Sequence, residues 1–301
     1  MIDVIGVGAN SMDHVLRIPG DVASLVASGK RRISGQEWRC GGQTATAMSA
    51  CAALGLRAGY VGAVGSDEHG RQMRAELTRC GVDVQHIVES NAPSPGAEII
   101  VDESGRRTVL WHRDERLALT PEQIPADVLA QSRLVHVDDV DRPAALYACV
   151  VARSAGVPVT SDIEQASDGV EALIGAVTHP IFDHNAPAVL TGESDPERAL
   201  RKLRRFNPGL LCMTLGEGGA AALEGDRFHA APAVPVKAVD TTGAGDVFRA
   251  GMIYGLLQGW EVPALLRFAN AAAAVSCTRP GAIASVPTLN EVNDLLTNTS
   301  H

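Results

Sequence analysis

Basic charge is in short supply here. The 26 lysines and arginines face 35 aspartates and glutamates, a formal net charge of −9. That argues against a general nucleic-acid or membrane-surface role, which needs a basic face, but leaves room for a small basic pocket. No apolar run approaches the ~20 residues that cross a bilayer. Met1-Ile-Asp-Val-Ile-Gly6 has no basic opening of the secretory kind, so a cytoplasmic location is expected. The cysteines (40, 51, 80, 149, 212 and 277) form no C-x-x-C pair, which removes support for a zinc ribbon or a redox motif. Most lie in apolar runs, as buried thiols in a reducing compartment do. The nine histidines show no metal-ligand spacing. There is no P-loop, no H-E-x-x-H and no G-x-S-x-G elbow. Gly6-Val-Gly8 lacks the third glycine of a dinucleotide fingerprint, because position 11 is serine and no clear helix follows.

What is present reads as α/β. A chain of 301 residues with 46% hydrophobic content can form one large domain with an appendage, or two domains. Strands are expected at residues 2–7, 58–64, 82–88, 134–137, 157–161, 176–182 and 210–215. Helices are expected at 44–54, 70–80, 117–131, 143–155, 195–206, 247–257 and 264–277. This alternation implies a mainly parallel sheet covered on both faces. Residues 98–101 and 107–112 flank the turn-rich Asp102-Glu-Ser-Gly-Arg106 and read as a hairpin. With residues 13–17 and 33–39 they form a small separate sheet. The domain reading is a core of residues 1–12, 41–92 and 119–301, and a β-sheet lid of 13–40 and 93–118.

The most informative stretch is Asp240-Thr-Thr-Gly-Ala-Gly-Asp246. It lies between the extended segment 233–239 and a helix with apolar residues at Val247, Ala250, Ile253, Tyr254 and Leu257. Glycines in such a turn let N–H groups converge on an anion, and the helix dipole adds to the attraction. Gly243, Ala244 and Gly245 would face charge developing on a transferred phosphoryl group. Asp246, a carboxylate inside this anion site, is expected to be the base that takes a hydroxyl proton, with its pKa held low by the helix end.

The full string resembles the C-terminal signature of the PfkB, or ribokinase-like, carbohydrate kinases. A second signature of that family, Gly-Gly followed by a small-residue helix, is similar to Gly41-Gly-Gln-Thr-Ala-Thr-Ala-Met-Ser-Ala-Cys-Ala-Ala-Leu-Gly55. The similarity runs along essentially the whole chain, and the branch it most resembles contains ketohexokinase-, fructokinase- and sulfofructose-kinase-like enzymes. The resemblance implies a three-layer α/β/α domain with a β-sheet lid, and an ATP-dependent sugar kinase acting with Mg²⁺ on a primary hydroxyl. It also implies a family habit of dimerising through the lid. A nucleoside kinase of the same fold and a non-catalytic sugar- or nucleotide-binding regulator are the alternatives.

Residue by residue, the resemblance gives Asp13 hydrogen bonds from sugar hydroxyls, with Asn10 nearby and with Gly41 and Gly42 letting the backbone approach the sugar. Gln43 and Thr46 stand where ribokinases carry Lys and Asn, which puts ribose in doubt. Thr214-Leu-Gly-Glu-Gly-Gly219 resembles the strand-to-loop segment beside ATP, notably Thr214, Gly216, Gly218 and Gly219, and Asn270 would lie near adenine. Asp240, Thr242, Ser276, Arg279, Gly281 and Ser285 match the positions that build a K⁺ site in ribokinase. The family's Asn-x-x-Glu motif reads Asp183-His-Asn-Ala186 here, so its glutamate is missing. Lys30, Arg31, Arg32, Arg39, Arg106, Arg107, His112 and Arg113 make the lid locally basic, which suits an anionic sugar substituent, a solvated sheet face or a dimer contact.

Overall fold

A computed structural model describes residues 1–25 and 30–299. Strand β1 (Val4–Val7) leads into β2 (Ser11–Arg17) and β3 (Gly35–Gly41). Helix α1 (Gln43–Ala53), β4 (Ala58–Val61), β5 (Ala63–Gly65) and α2 (Glu68–Arg79) follow. Next come β6 (Val88–Ser90) and a hairpin of β7 (Gly96–Val101) and β8 (Arg107–His112). The chain then alternates through α3 (Ala126–Ala130), β9 (Leu134–Asp138), α4 (Arg142–Ser154), β10 (Val159–Asp162) and α5 (Val170–Ala176). It continues with β11 (Ile181–Phe182), α6 (Ala186–Thr191), α7 (Pro196–Leu203) and β12 (Leu211–Thr214). A second hairpin, β13 (Ala220–Glu224) and β14 (Arg227–Ala231), precedes α8 (Ala244–Leu257), α9 (Val262–Ser276) and α10 (Leu289–Asn298).

The central layer has strand order β10-β9-β1-β4, all parallel. Every residue of these four strands is buried, which is why they read as unbroken apolar runs rather than alternating ones. Bridges Thr160↔His179 and Ile163↔Phe182 continue the layer into β11-β12-β13-β14, where β12, β13 and β14 run antiparallel. One apolar cluster packs Ala144, Ala148 and Ala152 of α4 beneath the sheet. On the other side Ala45, Ala47 and Ala50 of α1 pack with Val247, Ala250 and Ile253 of α8. A separate sheet of order β3-β2-β7-β8 stands over the carboxyl end of β1. Among the described residues no helix is long and apolar enough to cross a membrane.

Several expected elements differ, each for a local reason. Instead of one helix over 117–131 there are short turns and then α3; Pro121 and Pro125 lack N–H donors and bar the preceding residues from helix. Residues 82–88 form no continuous strand. Asp83 bridges Gly59 and Val88 opens β6, while between them the Asp83 carboxylate accepts the N–H of Gln85 at 3.0 Å, which turns the chain away. The strand expected at 176–182 shrinks to two residues after Pro180. The 233–239 segment, which contains Pro235, pairs with no strand. The β13–β14 hairpin is additional to the expected elements, although Gly225-Asp226 between apolar runs is a hairpin signal.

Candidate active site

Two helix starts converge at the carboxyl ends of the parallel strands. Helix α1 begins after Gly42 (φ 96°, ψ 141°), a conformation open to glycine alone, where a Cβ would lie 2.3 Å from the Asn10 Cα. Helix α8 begins after Gly243 (φ 77°), where a Cβ would meet Ala282 at 2.9 Å and Thr46 Cγ2 at 3.3 Å. The two Gly-containing segments therefore close on each other around Thr46 and Ala282. The first N–H groups of α8 point out of the helix end; that of Ala244 makes a 3.3 Å contact with Thr241 O, while Gly243 O accepts the N–H of Val247. This end of the helix attracts anions.

Asp246 sits in the first turn of α8, 8% exposed. Burial pushes its carboxyl well above the usual carboxylate range; the Arg249 guanidinium opposes this, and Glu164, Asp138 and Asp13 add to it. The low pKa expected from the helix end is thus corrected, because burial among like charges outweighs the dipole. Asp162, at the end of β10, is fully buried, raised by the same cause, and ion-paired with Arg249. Carboxylate oxygens of Asp162, Glu164 and Asp246 lie within 4.8 Å of one another.

Asp13 on β2 is buried and accepts the Ser11 hydroxyl at 2.5 Å; burial raises its carboxyl and the Ser11 bond opposes. Gly41 faces it from the paired strand, with an ideal Cβ 2.5 Å from Asp13 Oδ2. Asn10 donates from Nδ2 to Tyr60 Oη (2.8 Å) and Ala63 O (3.0 Å), so its amide braces the turn and leaves Oδ1 as the unpartnered acceptor. Thr46 is buried with its hydroxyl unpartnered, and Gln43, the first residue of α1, is half-buried. A cavity of about 390 Å³ includes Asp13, Arg17, Arg39, Arg107 and Thr242 in its lining. A groove of about 1040 Å³ lined by Trp260 and Phe268 lies at the far end of α8, about 20 Å from Asp246 by helix length.

The basic lid is partly neutralised. Arg39 pairs with Glu37 and Asp240, Arg106 with Asp21 and Asp102, and Arg113 with Asp141. Arg31 donates to backbone carbonyls of Pro19 and Asp21, while Lys30, Arg32 and His112 are exposed. Of the cations lining the cavity, Arg107 has no carboxylate partner among the described residues. It reaches from β8 to donate to Thr242 Oγ1 at 2.8 Å.

A second group gathers at the β12–β13 turn. Thr214 ends β12, residues 216–218 make one helical turn, and Gly219 lies against Ala231 O. Asn270 on α9 donates to Ala231 O and Pro232 O, both at 3.0 Å, which ties that helix to the same hairpin. Asp240 accepts the Thr242 N–H and hydroxyl and the Gly281 N–H, and Cys277 O accepts the Val239 N–H. Ser276 and Ser285 turn their hydroxyls to Ala273 O and Ala282 O, while Arg279 holds Glu291 and Ser285 O. With the Asp240 carboxylate also held by Arg39, backbone carbonyls are the oxygens left for a cation there. Ala186 is buried at the start of α6, and Asp183 accepts the N–H groups of Asn185 and Ala186.

Sequence reasoning missed Asp138, Asp162, Glu164 and Arg249. Asp138 accepts the Ala9 N–H (2.6 Å), the Thr44 hydroxyl (2.7 Å) and the Val140 N–H (3.1 Å), yet burial pushes its carboxyl up to about 7. A signal existed: Asp138 and Asp162 each end a parallel strand, where α/β ligands sit.

Comparison with known proteins gives a consistent picture. The family described as pfkB family carbohydrate kinase matches residues 6–289. The chain is 30% identical over 296 residues to an ATP-dependent ribose-1-phosphate kinase of Halopiger xanaduensis, covering 97% of each. It is 29% identical over 264 residues to the ribokinase of Bacillus subtilis, covering 85% of this chain and 87% of that protein. The structure of Arabidopsis thaliana ribokinase complexed with ribose and ATP has the same fold, with a TM-score of 0.85 at 22% identity over 98% of each chain.

Proposed function

Because this chain belongs to the pfkB family of carbohydrate kinases, we propose that it transfers the γ-phosphoryl group of ATP to a primary hydroxyl of a small sugar, with Asp246 as base. The observation that carries this reading is Asp246 itself, a buried carboxylate in the first turn of α8 beside N–H groups that attract anions. The acceptor hydroxyl donates to the Asp246 carboxylate, which takes the proton as the oxygen–phosphorus bond forms and the bond to the ADP oxygen breaks. The N–H groups of the 243–245 turn stabilise charge on the transferred oxygens. Asp13 and Asn10 Oδ1 accept sugar hydroxyls, Gly41 and Gly42 give the sugar room, and Gln43 and Thr46 line its side. Thr214, Gly216, Gly218, Gly219 and Asn270 shape the nucleotide site.

Mg²⁺ would arrive with ATP and would supply charge neutralisation when bound. The buried Ala186 offers no ligand where the family has glutamate, so the chain fits a metal carried on the nucleotide. For K⁺, the oxygens around Asp240 and the 276–285 segment suit an alkali cation by donor type. Exchanging K⁺ for tetramethylammonium should lower kcat; equal rates would remove this site from the account. Residues 13–40 and 93–118 act as the lid. Val109 and Trp111, 46% and 72% exposed on its edge strand β8, are the apolar surface by which two lids would pair.

Arg107 bears on substrate choice. A guanidinium lining the cavity without a carboxylate partner suits a sugar with an anionic substituent, and the name of the Halopiger relative supports including sugar phosphates. The test is ADP release from Mg·ATP across ketoses, aldoses, sugar phosphates and nucleosides. Turnover on a sugar or sugar phosphate is the expected result, while turnover on nucleosides alone would replace this reading. Arg107→Ala should raise KM about tenfold for an anionic sugar, the loss of one charge-assisted bond, and leave neutral sugars unchanged.

A further inference from the structure

The core of α8 holds a charge that phosphoryl transfer as described above does not use. Arg249 is 1% exposed in a helix interior that is otherwise apolar or glycine. It lies one turn beyond Asp246, on the same side of the helix. Its Nη2 makes the ion pair with Asp162, its Nε has no hydrogen-bond partner, and both atoms are buried. An ideal Cβ on Gly245 would lie 2.7 Å from Arg249 Nη1, so the guanidinium fills the space directly under the turn. Burying an incompletely bonded guanidinium is costly. What offsets the cost here is attraction to carboxylates that would otherwise repel one another. The charges of Asp162 on β10, Glu164 beyond it and Asp183 after β11 act on the guanidinium, and those of Asp138 on β9 and Asp13 on β2 act on Asp246. Asp139 adds its charge at Asp162, and two further titratable neighbours are neutral. Burial and then Arg249 push the His136 imidazole down to about 3, and burial pushes the Cys212 thiol up to about 12.

We propose that Arg249 is a positioning residue for phosphoryl transfer: ion-paired with Asp162 beneath the 243–245 turn, its guanidinium props the turn and keeps the Asp246 carboxylate ionised. The inference rests on the reading of Asp246 as the base. The chain supplies its own fixed cation where three carboxylates meet. Asp162 acts on the reaction through Arg249, by drawing part of its charge away from Asp246.

The test is the pH profile of kcat for the wild-type chain, Arg249→Met, Arg249→Lys and Asp162→Asn, with Asp246→Asn alongside. Removing an opposite charge at this range raises a carboxyl by about one to three pH units. The acid limb of Arg249→Met should therefore move up by that amount, with kcat at least about tenfold lower at neutral pH and recovering at alkaline pH, and with KM values little changed. Arg249→Lys should fall between, while Asp162→Asn should move the limb the other way. An unmoved limb, with kcat lowered uniformly or only the melting temperature reduced, would show a merely structural role and overturn the proposal. If Arg249→Met does not fold, unmoved limbs in both Arg249→Lys and Asp162→Asn overturn it equally. Near-normal turnover by Asp246→Asn would contradict the base reading instead; an inactive Asp246→Asn with unmoved limbs would contradict only the role of Arg249.

Discussion

Asp246→Asn is expected to lower kcat by about 10³-fold, within the range a positioned general base contributes, with ATP affinity by calorimetry nearly unchanged. Asparagine keeps the shape and volume of the side chain and still suits the first turn of a helix, so the site should remain folded. What it loses is the ability to accept the hydroxyl proton. Because burial holds the Asp246 carboxyl well above the usual carboxylate range, the wild-type enzyme should begin to lose turnover, as pH falls, above the ordinary aspartate pKa of about 4. The sign follows from the deprotonated form being the active one: raising the pKa moves the loss to higher pH. A variant with more than a tenth of wild-type kcat would contradict the base assignment, and an acid limb near pH 4 would contradict the effect of burial on Asp246.

Gly42→Ala should be a severely damaging single methyl group. Residue 42 has φ 96° and ψ 141°, where a side chain costs about 1–3 kcal/mol in backbone strain alone. The new Cβ would also sit 2.3 Å from Asn10 Cα and 2.9 Å from Ala9 O. Both are backbone atoms, so relief requires the β1–β2 turn to move. Expected losses are about 3 kcal/mol or more of stability, read as a melting temperature lower by about 6–12 °C. The same movement displaces Asn10 and opens the Asp13–Gly41 contact, so KM for the sugar should rise about tenfold. A Gly42→Ala protein with unaltered melting temperature and KM would mean that the start of α1 is not built as described.

How much of this was legible in the sequence depended on whether the cause was local. Helices α1, α8 and α9 follow from their apolar spacing and glycine stops, and they lie within two or three residues of where the sequence places them. The convergence of Asp13, the 41–42 glycines and the 243–246 turn was legible because each carries its own chemistry in a short motif. Arg249 was not. It reads as one polar residue in an apolar helix, and only the fold brings Asp162, more than eighty residues away, against it. The same holds for the lid. A count of arginines suggests a basic surface, but the partners that neutralise it, Asp240 and Asp141, come from distant segments. The expected low pKa of Asp246 failed for a related reason, since the helix end is visible in sequence and the burial among carboxylates is not.

The proposed reaction moves one phosphoryl group from ATP to the oxygen of a primary hydroxyl of a sugar. The most direct measurement is product identification by proton–phosphorus correlation NMR, after incubating the enzyme with Mg·ATP and the sugar that gives the fastest ADP release. The account predicts ADP and a phosphate monoester coupled to the protons of a CH₂ group. Newly transferred phosphate on a secondary or anomeric hydroxyl, on a nucleoside only, or released solely as inorganic phosphate would overturn the reading.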